Sequence, residues 1–146
     1  MLTPEEHKAN ARQAFDTFFN QKNLAAIEEY CAPNYVGHFS SVPEPVRGPE
    51  GLRQFLGVYL KAFPDIQVTV EDVVVEGDKV AVRITLRGTH QGDLMGIPPT
   101  GKPILSTGIH ILRLVGDKAV EQWANGDDLG LMQQLGVIPT PGQGGG

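Results

Sequence analysis

Cysteine is nearly absent from this 146-residue chain: Cys31 is the only one. A single thiol excludes an internal disulfide framework and constrains the redox compartment only weakly. Positive charge is also scarce, with 12 Lys and Arg against 17 Asp and Glu and a formal net charge of −5. That balance argues against a nucleic-acid partner, because phosphate binding needs clustered cations. No apolar run approaches the ~18 residues needed to span a bilayer, so no membrane partner is expected. The first residues lack the basic-then-apolar pattern of a signal peptide, which makes the cytosol (a cytoplasmic location) the default expectation. His38, His90 and His110 show no ligand spacing of the His-x-x-x-His kind, so no metal site is expected. The segment Gly96-Ile97-Pro98-Pro99-Thr100-Gly101 is not a phosphate loop: it lacks the Gly-Lys-Ser/Thr ending and precedes a strand pattern rather than a helix.

What is present is a chain that is 40% hydrophobic and 20% charged, the balance of one globular domain with a real core. The domain is expected over residues 1–138, with a disordered Gly/Pro tail over 139–146. Thr3-Pro4-Glu5-Glu6 is a strong helix start, with Thr3 as cap, Pro4 at the first helical position and Glu6 completing a capping box. Ala11, Ala14, Phe15, Phe18 and Phe19 then follow helical spacing. Asn23 suggests a second cap, with Leu24, Ile27 and Cys31 on one stripe and Pro33 as the stop. Residues 34–39 read as a short extended segment and 40–48 as a loop. A third helix carries Leu52, Phe55, Leu56, Tyr59, Leu60 and Phe63 on one face, and Pro64 ends it.

The period then changes to two. Ile66, Val68 and Val70 alternate with polar residues, while Val73 and Val75 are on the other phase, which predicts a bulge near Glu71-Asp72. Gly77-Asp78 turns the chain into a second alternating run from Val80 to Leu86. A Gly/Pro-rich connection over 90–102 leads to a hairpin over 104–125 with its turn at Gly116-Asp117-Lys118. A short amphipathic helix follows Asp127-Asp128. Helices first and strands later predict an α+β domain, with helices on one face of a mostly antiparallel sheet and a pocket in the uncovered concavity.

Candidate site residues cluster around that pocket. Asp127 sits at a strand end near Trp123, where an apolar wall would raise its pKa and suit it to take a proton next to a carbonyl. Its alternative role is the N-cap of the last helix, which Asp128 could fill instead. His110 lies among Ile109, Ile111 and Leu112 and could polarise a carbonyl or orient Asp127; the alternative is a satisfied buried histidine. His38 could line the pocket mouth with Tyr35 and Phe39, against the alternative of a surface-loop histidine. His90 could be a rim or lid contact, and His7 is placed on the exposed part of the first helix. Trp123 alternates in phase with Glu121, Asn125 and Asp127, which puts the four on one face if no bulge intervenes. Glu121 on this face could be a second acid or could pair with Arg83, Arg87 or Arg113, and the pair is the favoured reading. The stripes Phe15/Phe18/Phe19 and Phe55/Tyr59/Phe63 are expected in the core, partly as pocket wall, and the prolines near 98–99 as a stiff lid or dimer contact.

Several motifs together resemble the SnoaL-like polyketide cyclase (ester cyclase) family of the NTF2-like superfamily. They are Tyr35-Val36-Gly37-His38, Ala62-Phe63-Pro64-Asp65, Gly88-Thr89-His90-Gln91-Gly92, Gly96-Ile97-Pro98-Pro99-Thr100-Gly101-Lys102, and Glu121-Gln122-Trp123 followed by Asp127 and Leu129-Gly130. The resemblance implies an NTF2-like (cystatin-like) cone, homodimeric, with N-terminal helices packed on a strongly curved sheet around a pocket. It implies an intramolecular aldol ring closure without metal or cofactor, with an aspartate as acid/base and a histidine as helper. By position these are Asp127 and His110. The chain departs from the pattern at Gln122, where members often carry His, and at Gly126, where many carry a bulky residue.

The function expected from these readings is a cofactor-free cyclase or isomerase acting on an apolar small molecule. Asp127 and His110 would be catalytic, with His38, Tyr35, Trp123, His90, Phe39 and Asn125 shaping the substrate site. The alternatives are a non-catalytic binder of an apolar small molecule, a hydrolase using an acid pair, and a dimerising module without a ligand.

Overall fold

The computed structural model describes residues 2–139. The capping box forms as the sequence predicts: the Thr3 side chain accepts from the Glu6 backbone N–H, and the Glu6 carboxylate accepts from Thr3 N–H. It starts helix α1, Pro4–Phe15, which buries Ala11 and Phe15. A π-helical turn over Asp16–Asn20 follows, with Thr17, Phe18 and Phe19 all buried. Both consecutive aromatics face the core there, as their helical spacing predicts. Asn20 then fastens this end to the sheet, donating to Val68 O and accepting from Val68 N–H.

The second helix departs from expectation. Asn23 makes no side-chain cap, a 3-10 turn spans Leu24–Ala26, and α2 is only Ile27–Tyr30. Cys31 already belongs to strand β1, Cys31–Phe39. Pro33 is therefore inside a strand rather than a helix stop. It is tolerated because the pairing of β1 is irregular between Cys31 and Val36, where a missing N–H costs no ladder bond. Strand β2, Val46–Arg47, breaks the expected loop, and α3 covers Gly48–Ala62. Strands β3 (Gln67–Glu76), β4 (Lys79–Thr89), β5 (Pro103–Val115) and β6 (Lys118–Gly126) precede α4, Asp128–Gln134.

Among the described residues these elements form four α-helices and one six-stranded sheet of order β2-β1-β6-β5-β4-β3. Every pairing is antiparallel except β1 with β6. The β3 bulge falls between Val70 and Asp72, as the change of phase predicts. The sheet is curved and unclosed, and the helices pack into its concave face. Phe15, Phe18, Phe19, Leu52, Leu56 and Phe63 meet Val80, Val82, Ile84 and Ile104 there in a single core. The expected disordered tail lies outside the described residues from 140 onward.

Candidate active site

Alternation along β5 and β6 decides what faces the helices. Ile104, Ser106, Gly108, His110, Leu112 and Leu114 look inward along β5, with Gln122, Ala124 and Gly126 inward on β6. Between this wall and the helices lies a cavity of about 180 Å³. Its inward row from residue 104 to 114 runs about 33 Å at the usual rise of a strand. Most of the lining is aliphatic or aromatic, including Ala14, Phe15, Phe18, Phe55 and Leu56. The core stripes are thus also pocket wall, as expected.

Polar groups occur in several places. At mid-wall stand His110 and Gln122; near α4 stand Ser40, Ser41, Ser106, Thr107, Tyr59 and Asp128; His7 and Asn10 of α1 and Asp117 of the β5–β6 turn complete the polar lining. His110 Nδ1 is 2.8 Å from Gln122 Nε2, and Tyr35 OH donates to Gln122 Oε1 at 2.6 Å. The His110 ring meets Phe15 edge to face, with centroids 5.1 Å apart. Burial among these groups pushes the His110 pKa down to about 4, which keeps the imidazole neutral near neutral pH. Near α4, Ser40 Oγ donates to Asp128 Oδ2 at 2.7 Å and accepts from Gly126 N–H at 3.1 Å. Tyr59 OH donates to Ser41 Oγ at 2.9 Å; burial raises the Tyr59 pKa and the Asp128 charge adds to it.

The expected pair is not brought together. Asp127 is exposed and does not line the cavity. Its side chain caps α4, accepting from Gly130 N–H at 2.9 Å. Of the two roles foreseen for Asp127 the structure shows the cap, and capping turns it toward the helix end and leaves Asp128 on the cavity side. Trp123 and Asn125 are also not in the cavity. Alternation runs through Gln122 and Ala124, so Glu121, Trp123 and Asn125 face the outside of the sheet. There His38 stacks on Trp123 with centroids 5.9 Å apart and bonds Glu121 at 2.9 Å. Arg113 completes the pairing at 3.5 Å, one of the arginine partners foreseen for Glu121. The His38 bond, aided by Arg113, holds the Glu121 carboxyl below its ordinary range.

The remaining candidates divide. Phe39 lines the cavity. Tyr35 is 1% exposed and sits behind the wall, reaching the site only through Gln122. His90 is fully buried against Phe63 and outside the cavity. It holds the 90–102 connection together: its Nδ1 bonds Thr100, and its backbone bonds Lys102 O and Gly101 N–H. A rim or lid contact would need an accessible ring. His7 is half-buried and lines the cavity, not the exposed face of α1. Sequence reasoning missed Gln122, whose inward phase was legible from polar Glu121 and Asn125 on the opposite phase and Ala124 in step with it. Among the described residues, no group of three or more His, Cys, Asp or Glu side chains is placed to hold a metal.

Residues 9–135 match the sequence profile of the SnoaL-like polyketide cyclase family. The chain belongs to this family. Among SnoaL-like relatives, it is similar to the aklanonic acid methyl ester cyclase DnrD of Streptomyces peucetius, 34% identical over 77% of each chain. It is 28% identical to the nogalonic acid methyl ester cyclase of Streptomyces nogalater, over 81% of this chain and 89% of that one. Among solved structures it resembles AclR of Streptomyces galilaeus, a proposed hydroxylase, with TM-score 0.82 and 32% identity over 94% of this chain and 85% of that one. A SnoaL-like protein of Jannaschia sp. CCS1, a proposed polyketide cyclase, superimposes with TM-score 0.84 and 26% identity over 93% and 95%. The cyclase role and the NTF2-like α+β fold of this chain rest on these likenesses, and the family acts on small-molecule polyketides.

Proposed function

We propose that this protein closes a ring in a polyketide-like, largely apolar substrate by an aldol-type step without a cofactor. The observation that carries the proposal is a long apolar cavity whose mid-wall polar groups are a neutral histidine and its amide partner. A neutral imidazole is a poor acid but a good hydrogen-bond donor to a carbonyl that gathers negative charge, the role known for the neutral histidine of triosephosphate isomerase. His110 would polarise the electrophilic carbonyl. Asp128, rather than Asp127, is the carboxylate on the cavity wall next to α4, and it would remove the proton beside the nucleophilic carbon. The new C–C bond forms as the enolate attacks the polarised carbonyl, and the proton taken from carbon returns to the alkoxide oxygen, so substrate and product have the same mass.

The test is incubation with nogalonic acid methyl ester and aklanonic acid methyl ester, with products followed by chromatography and mass. The expected result is an isomer of unchanged mass, with turnover lowered about 100-fold or more in His110→Leu and in Asp128→Asn. Unchanged substrate would defeat the cyclase reading on these compounds. A second reading comes from the likeness to AclR: with dioxygen as oxidant and an added two-electron reductant, a product heavier by one oxygen atom, with water as the other product, would replace ring closure with hydroxylation. The proposal includes a homodimer formed through the outer sheet face, where Ile109 and Ile111 are exposed.

A further inference from the structure

Gln122 faces inward but is buried, and both ends of its amide are engaged. Distance assigns the two ends. The contact to Tyr35 OH is 2.6 Å, a length normal for O–H···O and too short for N–H···O. The oxygen of Gln122 therefore meets Tyr35, which must donate to it. That leaves the Gln122 NH₂ facing His110 Nδ1, and an NH₂ can only donate. His110 Nδ1 is then an acceptor, and the single proton of a neutral ring sits on Nε2. Among the described residues Nε2 has no hydrogen-bond partner, and it is not among the buried unpartnered atoms. It remains free for a ligand in the cavity.

The chain of contacts is built from the backbone outward. A Cβ on Gly37 would collide with Tyr35 Oη and lie 2.6 Å from Phe39 Cε2. Only glycine leaves room for the Tyr35 hydroxyl to reach Gln122. At 1% exposure, Tyr35 meets no competition from bulk water for that bond.

We propose that Gln122 is a positioning residue which, oriented by Tyr35 across Gly37, fixes His110 in its Nε2–H tautomer, so that the ring can only donate to a ligand. The role of that donor in turnover rests on the cyclase reading, whereas the tautomer is a property of the free protein. The deciding experiment is nitrogen NMR of the full-length protein labelled in histidine, with His110→Gln to assign the signal. Wild type is expected to show Nε2–H with an unprotonated Nδ1. In Gln122→Glu a carboxylate faces Nδ1, and the proton is expected to move to Nδ1 or a second proton to be taken up. In Tyr35→Phe the amide loses its donor and is free to turn its oxygen toward Nδ1, so an Nδ1–H population is expected. This variant also covers a failure of Gln122→Glu to fold. An Nδ1–H ring in wild type, or an unchanged Nε2–H ring in every variant that folds, would overturn the proposal. On a turned-over substrate, Tyr35→Phe should lower kcat about 10-fold with KM nearly unchanged. A tautomer change in a protein that turns over neither methyl ester would sink the cyclase reading and leave the positioning role standing.

Discussion

Burial of His110 has a thermodynamic consequence in the acid range. Its pKa falls from 6.5 to about 4 on folding because the charged ring would be buried. Between those values the unfolded chain binds the proton and the folded one does not, so stability is complete above about pH 6.5 and is lost as pH falls toward 4. At about 1.4 kcal/mol per unit the loss is on the order of 3 kcal/mol. Urea titrations from pH 7 to 4 should show that slope in wild type and a flatter one in His110→Gln. Equal slopes would mean that the ring is solvated in the folded state. The outer-face histidine is a different case. His38 stacks on Trp123 and pairs with Glu121 in partial contact with water, where such a pair is worth little.

The element scale separates the two adjacent aspartates. Asp127 closes the start of α4, and removing a side-chain cap costs roughly 1 kcal/mol. Asp127→Ala is therefore expected to lower the unfolding midpoint while keeping turnover within a few-fold of wild type, measured on the same methyl esters. A collapse of activity with unchanged stability would return the acid/base role to Asp127. Much at this scale was legible in the sequence. The capping box, the π-turn aromatics as core, the β3 bulge and both Gly-Asp-Lys hairpins arise from local periodicity and turn chemistry. The site was less legible because one phase error on a strand reverses every side chain. Placing Trp123 inward moved Asn125 and Asp127 with it and hid Gln122. Pro33 misled for a related reason: a proline stops a helix, but an irregular strand accommodates it as well, and only the partner strand decides.

For the whole molecule, the question is what covers the convex face of the sheet. Ile109 is 53% exposed and Ile111 39%, neighbours on the same face of β5, and Leu105 continues the row. Apolar residues in a row on an open sheet are a reason for association. Light scattering after gel filtration is expected to give twice the chain mass for wild type, and the chain mass for Ile109→Lys with the fold intact by circular dichroism. A wild-type monomer at micromolar concentration would remove the homodimer from the proposal. At this scale the family resemblance foretold the curved sheet and the helices in its concave face. Local periodicity could not give the parallel pairing of β1 with β6, because a register between distant segments leaves no trace in either one.

That pairing sets a timetable. Cys31 lies opposite Ala119, and Tyr35 must find Gln122. During synthesis the N-terminal helices can close against β3 and β4, but the β5–β6 part of the wall is still missing. The cavity comes into being only when the last strand arrives and slots between two neighbours already made. Such distant partners slow folding. Until Gln122 has emerged, the aromatic residues of the cavity have no β6 wall to cover them.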